Sequence, residues 1–108
     1  MLGKLLGLFA RDPLDRAARR YAETLPGQLA RDYGASDRYS PDQVRLSAQR
    51  AKLPAEFLAV GYAAYLDRDA FAAALPARAA EYDALRALFL KHEDLGLQSG
   101  KGADNEDE

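Results

Sequence analysis

The chain contains no isoleucine, two valines and one threonine, against 22 alanines and 17 leucines. β-Branched side chains are the ones that suit a pleated strand, whereas Ala and Leu lose little or no rotamer freedom in a helix. A sheet has almost nothing here to be built from, so the expected class is all-α. At 108 residues the chain suits one hydrophobic core and is too short for a two-domain enzyme. The pattern predicts a compact bundle of five to six short helices around a central apolar helix at about 54–66. Its organisation is an apolar segment at 1–10, a single helical domain at 11–97 and a disordered acidic tail at 98–108, where no large apolar residue is available to bury.

Five prolines punctuate the helices. Asp12 and Pro13 form a start signal, with the carboxylate as cap and the proline at the first helical position, where its missing N–H goes unused anyway. Leu14, Ala17, Ala18, Tyr21, Ala22, Leu25 and Leu29 then fall on one helical stripe. Pro26 beside Gly27 predicts a kink or a split near Leu25, and Gly34 a left-handed end. Ser40, Pro41 and Gln43 have the spacing of a capping box, opening a helix that runs to about Lys52 and turns Val44, Ser47, Ala48 and Ala51 inward. After Pro54 comes a run from Phe57 to Leu66 without a charge, apolar all round and far short of the roughly 20 residues that cross a bilayer, hence the central helix. Asp67 caps a short helix through Phe71, and the last helix, about Pro76 to Glu93, directs Ala79, Tyr82, Leu85, Leu88, Phe89 and His92 to one side.

Composition removes most familiar chemistry. Without cysteine there is no disulfide, thiolate nucleophile or thiolate metal site, and His92 is the only imidazole. Asp67-Arg68-Asp69 fails as a calcium loop because its sixth and twelfth positions are Ala72 and Arg78, not Gly and Glu. No Gly-rich phosphate loop follows a strand signal. No cofactor and no metal ligand set is expected, and catalysis would have to rest on carboxylates and tyrosines alone, so a non-enzyme is the expectation.

Charge is unevenly placed: residues 1–52 carry ten basic and six acidic residues, residues 53–108 five and eleven. The basic half offers Arg16, Arg19, Arg20, Arg45, Arg50 and Lys52 as a face for an acidic partner. As a DNA reader it is handicapped, because the following helix shows Phe57, Leu58, Val60, Tyr62 and Tyr65 where polar side chains should meet base edges. On a helix, Arg16, Arg19 and Arg20 also have Asp12, Asp15 and Glu23 within pairing reach. The stretch from Asp32 to Pro41 is the most loop-like inside the domain, and its Tyr33 and Tyr39 are set either to contact a ligand or to pin the loop to the bundle. The candidate binding residues are therefore Arg16, Arg19, Arg20, Tyr33, Arg38, Tyr39 and Arg45. At the N-terminus, Leu2, Leu5, Leu6 and Phe9 share a helical face that either packs on the bundle or dips into a membrane surface beside Lys4 and Arg11.

Arg19-Arg20-Tyr21-Ala22, Leu25-Pro26, Leu29, Asp32-Tyr33-Gly34, Ser36, Tyr39-Ser40-Pro41 and Gln43-Val44-Arg45 together resemble a family of small uncharacterised bacterial proteins classed as a domain of unknown function. Tyr82-Asp83-Ala84-Leu85-Arg86 is similar to a later element of that pattern. The resemblance covers about half the chain, is strongest from Arg19 to Arg45, and implies a bacterial, cytoplasmic protein. It supplies no activity, cofactor or catalytic residue.

The leading functional expectation is a non-enzymatic module that binds another protein. The alternative is a peripheral membrane protein anchored by the N-terminal segment, and a small enzyme or a DNA-binding protein comes third.

Overall fold

In the computed structural model, residues 12–107 are described, with side chains described from Asp12 to Asp94. The expectation for the apolar segment at 1–10 lies outside the described residues, and of the acidic tail at 98–108 only the backbone to Asp107 is described, as the end of the last helix. Among the described residues there are five α-helices and no strand, as the shortage of β-branched residues requires: α1 (Pro13–Tyr33), α2 (Pro41–Arg50), α3 (Leu58–Tyr65), α4 (Arg68–Ala74) and α5 (Tyr82–Asp107).

Asp12 caps α1 by accepting the Asp15 amide at 3.0 Å. The expected stripe is the buried face, with Ala17, Ala18, Tyr21, Ala22, Leu25 and Leu29 all inside. Of the kink or split expected at Pro26, the split does not occur: α1 runs through Pro26 as a single helix. A proline inside a helix costs about 3 kcal/mol. Leu25 and Leu29, fully buried on either side of it, each contribute about 1.5–3 kcal/mol by leaving water. Packing therefore outweighs the lost hydrogen bond. The helix stops at Gly34, whose φ of 91° suits glycine and whose amide bonds to the Ala30 carbonyl.

The capping box of α2 forms as spaced, with Gln43 N–H donating to Ser40 Oγ and Ser40 N–H to Gln43 Oε1. Its end is less ordinary. Leu53 N–H reaches back to the Ala48 carbonyl across Lys52, which takes φ +59° where glycine is usual.

The apolar run becomes a 3-10 turn at Ala55–Phe57 followed by α3. Ala59 to Ala64 are all buried, so α3 is the central helix. Gly61 explains how its neighbours come so close: a Cβ there would lie 3.0 Å from Leu25 of α1 and 3.2 Å from Val44 of α2. Asp67 caps α4 through the Ala70 amide, which places fully buried Phe71 under α5. Pro76–Glu81 is a 3-10 segment, so the last α-helix begins at Tyr82 and not at Pro76. Tyr82, Leu85 and Phe89 are buried as expected.

A groove along the last helix

The short α3 ends where α5 continues, and this mismatch leaves a concavity. α3 stops at Leu66 without a glycine or a lysine to satisfy its last carbonyls. Arg86 supplies the donor from across the core, its Nη1 lying 3.2 Å from the Ala63 carbonyl and 3.0 Å from that of Ala64. Tyr82 Oη donates to the Leu66 carbonyl at 2.8 Å. These bonds fix the end of α3 against the first two turns of α5.

Beside them lies a groove of about 580 Å³, within the ordinary range for ligand sites. Its walls are Pro26 and Ala30 of α1, the loop from Ala35 to Tyr39, the end of α3 at Ala64 to Leu66, and Tyr82, Arg86, Phe89, Leu90 and Glu93 of α5. On α5 these positions, Tyr82 to Glu93, span twelve residues, a length of about 16 Å. The floor is aromatic. Tyr39 stacks edge-on against Tyr65 at 5.3 Å, and Tyr65 against Phe89 at 5.9 Å. Tyr39 is pinned by donating to the Gly34 carbonyl at 2.6 Å. Leu90, 42 % exposed, presents an apolar side chain at the edge.

Four charged residues line the groove. Arg38 is paired with Asp67 at 3.4 Å, and Asp37 stands exposed on the loop next to it. Arg86 is half-buried, and among the described residues it bonds only to the two carbonyls, with no carboxylate in ion-pair range. Glu93 is also half-buried and has no cation in range among the described residues. Burial, and then the Glu93 carboxylate, push the Tyr65 hydroxyl well above the usual tyrosine range, so it stays a neutral donor.

The candidate residues chosen from sequence divide between this groove and other places. Arg38 and Tyr39 are in its wall. Tyr33 is 37 % exposed and lies under the Arg50 guanidinium, which also donates to its hydroxyl. Arg16, Arg19 and Arg20 are exposed on α1. Arg19 pairs with Glu23 at 3.0 Å, Arg20 donates to the Lys52 carbonyl at 3.3 Å, and Arg45 pairs with Asp42 at 3.0 Å. Asp12 is the cap that the sequence suggested, whereas Asp15 meets α5, 2.8 Å from His92 Nε2 and 3.6 Å from Lys91. The His92 hydrogen bond holds the Asp15 carboxyl below its usual range. Asp32 ties α1 to α2, accepting from fully buried Ser47 at 2.6 Å and from Arg50 at 2.9 Å. Sequence reasoning missed Arg86, Tyr65 and Glu93 as groove residues.

Among the described residues no group of three potential metal ligands occurs, and no helix is long and apolar enough to cross a membrane. A family model described as "Family of unknown function (DUF6559)" matches residues 11–96. The chain belongs to this family. The match spans the whole helical domain from the cap of α1 through the groove face of α5. Neither the curated proteins nor the solved structures contain a match.

Proposed function

We propose that this chain is a non-enzymatic protein-interaction module that holds a short segment of another protein in the groove along α5, acting in the bacterial cytoplasm as the sequence resemblance implies. The observation that carries this reading is the chemistry of the groove. An aromatic floor and an exposed leucine adjoin an arginine and a glutamate that have no partner of opposite charge within ion-pair range among the described residues. Apolar surface with a few placed polar groups is what binding sites present. A nucleophile-and-base pair would use the groove differently, and His92, the one imidazole, is instead engaged by Asp15.

The basic face of α1 and α2 supports the module less well. Arg19, Arg45 and Arg50 each have a carboxylate at 3.0 Å or closer, so the positive charge of this face is locally balanced.

The test is site-specific photo-crosslinking in the native cell. Leu90→benzoylphenylalanine, in the groove, is expected to capture a defined protein, whereas Arg19→benzoylphenylalanine, on the exposed face of α1, captures none. Capture from position 19 but not from 90, or lipid adducts alone, would overturn the proposal.

A further inference from the structure

The two groove charges without a partner in range stand seven residues apart on α5, which puts them about 10 Å apart along the helix axis. Between them lie Phe89 and Leu90, with Tyr65 opposite, Tyr65 and Phe89 being in ring contact at 5.9 Å. The other two charged residues lining the groove, Asp37 and Arg38, are adjacent in the loop and opposite in sign, and Arg38 is held by Asp67. What a ligand meets is therefore a cation at one end, an apolar middle and an anion at the other.

We infer that the occupant is an extended peptide segment carrying an acidic and a basic side chain three residues apart, the acid on Arg86 and the base on Glu93. This rests on the groove being the binding site, as proposed above, and adds what it selects. The groove is an open cleft of about 580 Å³, and the spacing of its two charges is what a ligand has to match. In a polyproline II conformation residues i and i+3 return to the same face after about 9 Å, close to the separation of the two charges. A β-strand alternates its faces and places i and i+3 on opposite sides.

The arginine is suited to its end. Nη1 is spent on the Ala63 and Ala64 carbonyls, which leaves Nη2 and Nε with no hydrogen bond to the described residues. Those two N–H groups form the edge that takes a carboxylate bidentately. Because the carbonyls hold the guanidinium in place, less side-chain freedom is lost on binding than for a free arginine.

The probes are acetylated and amidated peptides built on Asp-Leu-Pro-Lys and on the reverse order Lys-Leu-Pro-Asp, since the groove does not dictate chain direction. Asn-Leu-Pro-Gln and a peptide with the two charges adjacent serve as references. Titration of the full chain, followed by amide and arginine Nε–H shifts in NMR, is expected to give one of the opposite-charge peptides at least a tenfold lower Kd than either reference, with shifts at Arg86 and Tyr65. Arg86 also completes α3, so its removal would confuse binding with folding, whereas Glu93 makes no hydrogen bond or ion pair with the described residues. Glu93→Lys, with an unchanged melting temperature, should reverse the preference toward Asp-Leu-Pro-Asp by a similar factor. Equal affinities for charged and neutral peptides, or a preference that Glu93→Lys leaves alone, would overturn the inference while a groove crosslink at position 90 kept the function. Loss of that crosslink would overturn the function itself.

Discussion

Gly61 lies at the closest approach of three helices, and adding atoms to it sets two known effects against each other. A glycine inside a helix is less favourable than alanine by about 1 kcal/mol, so Gly61→Ala would stabilise α3 if nothing surrounded it. The added Cβ, however, would stand 3.0 Å from Leu25 Cδ2, 3.2 Å from Val44 Cγ1 and 3.3 Å from Tyr21 Cδ2, all inside the 3.5–4.0 Å of a relaxed carbon contact. None of the three has room to retreat. Leu25, Val44 and Tyr21 are fully buried, valine is confined at χ1, and the Tyr21 ring is tethered by its 2.7 Å hydrogen bond to the Pro54 carbonyl. Overpacking of this kind costs about 1–3 kcal/mol. The alanine variant should therefore be destabilised by about 1 kcal/mol net, a fall in melting temperature of roughly 4–8 °C for a domain of this size. Gly61→Leu adds three further carbons and should lose about 3 kcal/mol or more. Urea and thermal denaturation followed by far-ultraviolet circular dichroism measure both. A Gly61→Ala protein that melts above the wild type, or a Gly61→Leu protein that melts with it, would refute the claim that α3 is clamped at this glycine.

Lys52→Gly should stabilise the domain by about 0.5–1 kcal/mol, because it relieves the positive φ at the end of α2; the rise in urea midpoint checks it. Ser47→Ala should cost about 1–2 kcal/mol in the same assay, since a buried hydroxyl's 2.6 Å bond to a carboxylate is lost while Arg50 and Gln28 still hold Asp32. Asp15 gives a pH dependence: its folded pKa is lowered by His92, so the stability it contributes is complete above the unfolded value of 3.8 and is lost as pH falls through the folded value. Asp15→Asn should thus lower the melting temperature at neutral pH and converge with the wild type in acid.

How much of this was legible depends on the distance over which each residue acts. The stripe from Ala17 to Leu29, the box from Ser40 to Gln43 and the caps at Asp12 and Asp67 are decided by neighbours within a turn or two, and the sequence displays them. At Pro26 the local cost is visible and the burial of Leu25 and Leu29 that keeps the helix from splitting there is not. The Asp15–His92 contact joins residues 77 apart, and nothing in helical spacing announces it. Arg86 left one faint trace. A helix that ends Tyr65-Leu66-Asp67, with neither glycine nor base, needs a donor from elsewhere for its last carbonyls.

The face of α5 shows why the groove residues escaped notice while the core residues did not. Tyr82, Leu85 and Phe89 form the buried stripe, and a search for apolar periodicity stops when it has found them. Arg86 and Leu90 each follow a member of that stripe by one position, Leu85 and Phe89, which rotates them about 100° around the axis to the groove, whose other walls are the end of α3, part of α1 and the Ala35–Tyr39 loop. Glu93 continues the second stripe one turn on. On a helix covered along its whole length, that stripe would be an ordinary rim of arginine, leucine and glutamate. Here α3 supplies eight residues of cover, and Arg86 closes its end through Nη1 alone among the described residues while lining the groove. The chemistry of the groove thus comes from a difference in helix lengths, and lengthening α3 by a turn beyond Leu66 should cover the face of α5 that carries Arg86 and Leu90.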